Sequence, residues 1–187
     1  MSMEEIGPPM ALAVSLADAK AQLRMDSDET ALDGQLSLWI AGITADAEHE
    51  TGRKFTNRPM RVTLPGFHAA IKLSAPTYSV ENVRFFDVDG HDWLLHPDDY
   101  YLDRSSTPSR VMPALGKAWP ATAVSVNAVE IDYTAGYGPD SETTPPAAKL
   151  YILMRLTELW DPMVKEFKET TRSNFAARLL DSLRTYE

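Results

Sequence analysis

The sequence predicts an α+β fold, a small antiparallel helical bundle of about four helices with an inserted antiparallel β-rich subdomain. Three observations carry this expectation. Apolar residues recur with helical period near both ends of the 187-residue chain. Between them lie short extended runs broken by Pro, Gly, Asn and Asp, and most of the thirteen prolines fall in or beside that middle stretch. The expected division is 1–12 as a flexible N-terminal arm, 13–54 and 145–187 as the helical bundle, and 55–144 as the β-rich insert.

The arm ends in the Gly7-Pro8-Pro9 region, and the first helix begins at Ser15, whose hydroxyl is placed to accept the backbone N–H of Asp18. Leu16, Ala19 and Leu23 form its buried side. The stem of Lys20 is expected to cover the edge of that stripe with its ammonium in water. Asp26 to Asp28 make an acidic turn, and either Ser27 or Asp28 is the expected N-cap of the second helix, with Glu29 and Asp33 placing negative charge in the first turn. Leu32, Leu36, Ile40, Ile43 and Ala47 follow at spacings of four, four, three and four, so one stripe of this helix needs covering. Gly52 supplies the residue that stops it in a left-handed conformation.

After Lys54 the period changes. Met60 to Leu64 alternates and is closed by Pro65-Gly66, and Ala70 to Leu73 is a second short run before Pro76. Val80 to Phe86 leads into Asp87-Val88-Asp89-Gly90, a signal for a tight hairpin with both central residues, Asp89 and Gly90, at positive φ, and Trp93-Leu94-Leu95 is the returning strand. Tyr100 to Asp103, Arg110 to Met112 and Val124 to Tyr133 complete the set, and Gly136-Tyr137-Gly138 marks the exit from the last strand. Helical period resumes at Pro146, suited to a first helical position because its missing N–H costs nothing there. Leu150, Leu153, Leu156, Leu159 and Trp160 define a broad face that Ile152 and Met154 widen, and Asp161-Pro162 ends the helix. Lys165 to Arg172 is a charged hinge, and Ser173 caps a last helix with Phe175, Leu179, Leu180 and Leu183 as its stripe.

Composition narrows the function. The apolar share of 44% and charged share of 24% are those of a globular protein, and no apolar run approaches the roughly 20 residues of a membrane span. Acids near the N-terminus stand where a secretory signal carries Lys or Arg, so a cytosolic product is expected. A chain without cysteine has no disulfide, thiolate nucleophile or sulfur-ligated zinc. A formal charge of −9 argues against a protein whose task is gripping phosphate backbone, though an acidic wall would let a duplex slide past.

Site chemistry is sparse. His49, His68, His91 and His96 have no metal-ligand spacing and are expected in structural or solvated roles. Asp87-x-Asp89-Gly90-x-Asp92 has its glycine two positions early for a calcium loop, and the hairpin turn explains these residues better. Asp98 with Asp103, or Glu130 with Asp132, would be the pairs of an alternative function, an acidic carboxylate-dependent hydrolase. There is no nucleophile elbow and no glycine-rich phosphate loop. No catalytic residue, metal or cofactor is therefore assigned. Aromatics are the more informative set: Trp39 flanks the stripe of the second helix, and Trp93, Tyr100 and Tyr101 cluster in the insert, where some can cover a neighbouring subunit.

Several phrases in order resemble one family: Leu16-Ala17-Asp18-Ala19-Lys20-Ala21-Gln22-Leu23-Arg24 followed by acids, Ala47-Glu48-His49-Glu50-Thr51-Gly52-Arg53, Asp87-Val88-Asp89-Gly90, Tyr101-Leu102-Asp103, Arg110-Val111-Met112-Pro113, Trp119-Pro120, and Val129 to Gly138 with Pro145-Pro146 and a long apolar helix after. The set resembles the head-tail connector (adaptor) proteins of tailed phages and prophages over Ala13 to Trp160. The resemblance implies a non-enzymatic virion part with no cofactor, assembled in the bacterial cytoplasm as a ring of about a dozen copies in the virion neck. Its implied partners are copies of itself, the portal protein, and a tail-completion or neck protein, with DNA passing nearby without specific binding and no membrane. Expected interface residues are Trp39, Trp93, Tyr100, Tyr101, Phe175, Leu179 and Leu183. Another phage neck or tail-completion component is the nearest alternative.

Overall fold

Ser15 does cap the first helix: α1 spans Leu16–Leu23, and the Ser15 hydroxyl accepts the Asp18 N–H at 3.0 Å. The structure is a computed structural model, and it describes residues 1–160 and 174–185. Its secondary structure mixes helices with antiparallel sheets, and the chain divides into two compact units, Met1–Pro9 with Asn57–Gly136, and Met10–Thr56 with Tyr137–Glu187.

The second of these units holds four helices among the described residues: α1, α2 (Asp33–Thr51), α3 (Pro146–Trp160) and α4 (Asn174–Asp181). α2 starts later than the polar residues before it suggest. Its N-cap is Leu32, with no side-chain cap. The expected caps are otherwise engaged, since Ser27 donates its hydroxyl to Asp28 and the Glu29 carboxylate accepts the Ala31 N–H, which favours consecutive turns over helix. Lys20 also departs from expectation. Its side chain is 7% exposed, and its ammonium lies 2.7 Å from Asp33 Oδ1 and donates to the Ser27 carbonyl at 3.3 Å. The ammonium is drawn inward because the carboxylate at the start of α2 and a turn carbonyl replace its water.

Leu36, Ile40, Ile43 and Ala47 are buried, as their spacing requires, and Leu32 is half-buried. Gly52 closes α2 at φ 68°, donating its N–H to the Glu48 carbonyl. The Glu48 carboxylate is itself buried and accepts the Phe55 N–H at 2.8 Å, which turns the chain back after the helix. α3 begins at Pro146 as expected, but its covered face is Ala148, Tyr151, Ile152 and Leu156. Leu150 is exposed because the fours from 148 to 156 set the inward line and Leu150 lies across the helix from it, and Leu159 and Trp160 at the end of α3 are exposed as well. In α4, Leu180 is fully buried and Leu179 half-buried, and Leu183 in the turn after the helix is half-buried against the same core. The expected hinge at Lys165 to Arg172 and the Ser173 cap lie outside the described residues.

The other unit contains β1 (Ser2–Glu5), β2 (Arg58–Leu64), β3 (Ile71–Lys72), β4 (Thr77–Phe86), β5 (Asp92–Leu94), β6 (Tyr100–Asp103), β7 (Arg110–Pro113) and β8 (Val129–Ala135). Five strands form one sheet in the order β1-β2-β8-β4-β5, and three form another in the order β3-β7-β6, with every pairing antiparallel. Met60, Val62 and Leu64 of β2 and Val129, Ile131 and Tyr133 of β8 point inward by alternation, and Ile71, Leu73 and Val111 join them in one core.

Part of the segment expected as an arm is a strand here, because Ser2–Glu5 finds an open edge along β2. The last strand starts at Val129, not Val124; residues 124–127 form an exposed loop that Ala123 N–H to Phe86 O ties to β4. Leu95 falls outside β5, although its N–H still reaches the Val83 carbonyl. At the hairpin, Gly90 alone takes positive φ (84°). Gly90 N–H bonds Asp87 O and Asp87 N–H bonds His91 O, a turn in which glycine carries the left-handed position and Asp89 needs none. The unit boundary falls at Gly136/Tyr137, earlier than residue 144, since Tyr137 packs on the helical core and its hydroxyl accepts from Arg53 Nη1 at 2.9 Å.

Candidate interaction surfaces

In the helical unit, one side of α2 is committed to the core by Leu36, Ile40, Ile43 and Ala47, which leaves Leu38 on the opposite side, 72% exposed. Trp39 is half-buried between these faces and meets Trp160 edge to face at 6.4 Å and 76°. Trp160, Leu159 and Leu150 add exposed apolar surface on α3. Leu179 and Leu183 spend part of their surface on the core of their own unit. The Phe175 side chain lies outside the described residues.

In the β unit the hairpin between β4 and β5 stands out because its aromatic is fixed, not buried. Trp93 is 54% exposed, yet its indole N–H donates to Asp87 Oδ2 at 2.7 Å. Val88 in the turn and Leu94 on β5 are also exposed, and Val124 and Val126 lie on the loop tied to the hairpin base. Tyr101 is exposed, with its hydroxyl 3.8 Å from Met112 Sδ. Tyr100 is half-buried against the β core, and burial, reinforced by the Glu81 charge, pushes its phenol up. Phe67 stacks on Trp119 at 4.5 Å, whose indole donates to the His68 carbonyl. Of the residues expected at interfaces, Trp39 has a neighbour in Trp160, whereas Trp93 on β5 and Tyr100 and Tyr101 on β6 lie on separate strands, the two tyrosines pointing to opposite faces. Leu38, Val124 and Val126 are exposed as well, and the sequence does not single them out, since Leu38 stands among the apolar residues of α2 and Val124 and Val126 alternate as a strand would.

The acidic candidates resolve into structural roles. Asp87, Asp89 and His91 bring one ligand atom each within 4.8 Å of one another. Asp87 Oδ1 already accepts the N–H groups of Asp89 and His91, both at 2.9 Å. Those bonds, led by that from Trp93, hold its carboxyl below the usual range, so this acid shapes the turn. Glu130 and Asp132 share a face of β8 and both meet Arg61, at 3.7 Å and 2.6 Å, which raises the Arg61 pKa chiefly through its hydrogen bond to Asp132. Asp103 accepts from Ser105 and Ser106 hydroxyls and is held at about 2. A general acid needs the opposite displacement. Asp98 is exposed, and its N–H is accepted by His96 Nδ1 at 3.3 Å.

Neither a family model nor a curated protein matches this sequence. Solved structures do. A chain from the neck of an empty gene transfer agent (GTA) particle computed with C6 symmetry is similar at a TM-score of 0.77 and 20% identity. A chain from the virion of a native GTA particle follows at 0.76 and 20%, and one from the neck of a native GTA particle computed with C12 symmetry at 0.71 and 19%. Each likeness covers 100% of this chain and 97% of the other. From end to end, this chain has the fold of chains found in gene transfer agent particles.

Proposed function

We propose that this chain is a structural component of a phage-like virion neck, acting as a head-tail connector (adaptor) that forms a ring of about a dozen copies below the portal. The observation that carries the proposal is the full-length likeness to chains of particles whose necks were computed with C6 and C12 symmetry. The helical unit is read as a bundle that the β unit interrupts, a rigid frame with leftover surfaces for copies of itself and for the proteins above and below. The outer side of α2, with Leu38 exposed and Trp39 as anchor, faces the neighbouring copy. The work is done by shape, without catalysis, and the net charge of −9 suits a channel wall along which DNA slides. Assembly takes place in the bacterial cytoplasm, with the portal and a tail-completion protein as partners.

Light scattering and negative-stain electron microscopy of the full chain, alone and with the portal protein of a phage or prophage that carries this gene, test this. The expected result is a closed ring, alone or on the portal. A chain that stays monomeric and never binds portal refutes it.

A further inference from the structure

We propose that β1 is an exchangeable strand: in the assembled ring, Ser2–Glu5 of one copy completes the five-stranded sheet of its neighbour. This inference rests on the ring assembly proposed above. β1 pairs along β2 with Ser2 opposite Thr63, Met3 opposite Val62, Glu4 opposite Arg61 and Glu5 opposite Met60. All four of its residues are exposed, so it adds no side chain to the β core. It is held by the backbone ladder and by charge. Arg58, whose side chain is 8% exposed, places Nη1 3.2 Å from a Glu5 carboxylate oxygen, and Glu4 stands opposite Arg61. An identical strand from another copy satisfies each of these contacts equally well.

The flanking chain has the properties of a hinge. Ile6 N–H still bonds the Pro59 carbonyl, and then Gly7-Pro8-Pro9 leads from a strand grouped with the β unit to Met10, which is grouped with the helices. Two consecutive prolines favour an extended path over a compact turn. Without β1, β2 is the edge of its sheet, and Pro59, lacking an N–H, is a residue that edges tolerate and central strands do not. A strand passed from each copy to the next is a head-to-tail contact that a closed ring repeats without remainder. The ladder is the same in the free and the exchanged form. Additional contacts between ring neighbours raise the effective concentration of the neighbouring edge and favour exchange.

Charge reversal tests the exchange directly. Glu5→Arg alone sets like charges together, and so does Arg58→Glu alone, whether the strand stays or is exchanged. Mixed one to one, the two variants match only if strands pass between copies, so mixing is expected to restore rings that neither variant forms. Because Arg58 is buried, a second measurement uses Ser2→Cys with Thr63→Cys in the full chain, where no native cysteine competes. Oxidised rings are expected to run as covalent multimers on denaturing gels. Rings that form but yield only internally crosslinked monomers overturn the exchange and leave the ring standing. A native chain that forms no ring overturns both.

Discussion

Lys20 offers the sharpest test, because sequence and structure assign its ammonium to opposite environments. Replacing Lys20 by Ala removes three methylenes from a side chain that is 7% exposed, a loss of roughly 2 kcal/mol at about 0.8 kcal/mol per buried methylene. It also leaves Asp33, 29% exposed, without its cation and the Ser27 carbonyl without its donor, on the order of 1 kcal/mol more. The total is about 3 kcal/mol, with about 1 kcal/mol for Lys20→Met, which keeps the stem. Urea unfolding followed by far-ultraviolet circular dichroism, which reports the helices, measures both. A double-mutant cycle with Asp33→Asn isolates the charge pair and should return a coupling near 1 kcal/mol. If both single variants lose less than about 0.5 kcal/mol, the ammonium is solvated and the inward geometry is wrong.

Four further outcomes follow from other contacts of the structure. Glu48→Ala should destabilise the helical unit by about 1–3 kcal/mol, because the buried N–H of Phe55 loses its acceptor, whereas Glu48→Gln retains an acceptor and should lose less; denaturant midpoints decide. Asp103, held at about 2 against an ordinary 3.8, contributes stability above the unfolded value that is lost as pH falls from about 4 toward 2. A carboxyl NMR titration should find its midpoint near 2, and Ser105→Ala with Ser106→Ala should return it toward 3.8. Finally, Leu38→Glu should impair ring formation while changing monomer stability by less than about 0.5 kcal/mol, since the side chain stands in water. Trp39→Ala should impair assembly with a folded monomer weakened by about 1–2 kcal/mol through loss of its edge contact with Trp160; sedimentation and melting separate the two effects.

Much of the fold was legible in the order of residues. The Ser15 cap, the α2 stripe, the Gly52 stop and the start of α3 at Pro146 are local matters, decided by hydroxyl reach, by 3.6-residue period and by φ. The strand around Met60 announced itself by alternation, and those around Val83 and Ile131 as short extended runs between turn residues. The candidate surfaces were less legible. Trp93 and Tyr101 are exposed, but Tyr100, Leu179 and Leu183 divide between surface and core, because chemical type alone does not say which face a neighbour covers.

Composition and period by themselves determined that this is an acidic, cysteine-free chain with helices at its ends and strands between, because those properties depend on residues a few positions apart. Only the tertiary structure decided that Lys20 turns inward to Asp33, that α3 buries its 148–152–156 line and leaves Leu150 and Leu159 out, and that residues 2–5 form a strand on the edge of β2. Each of these depends on groups far apart in sequence. Their free energy is decided by which partner, carboxylate, side chain or open strand edge, replaces water when the chain closes on itself.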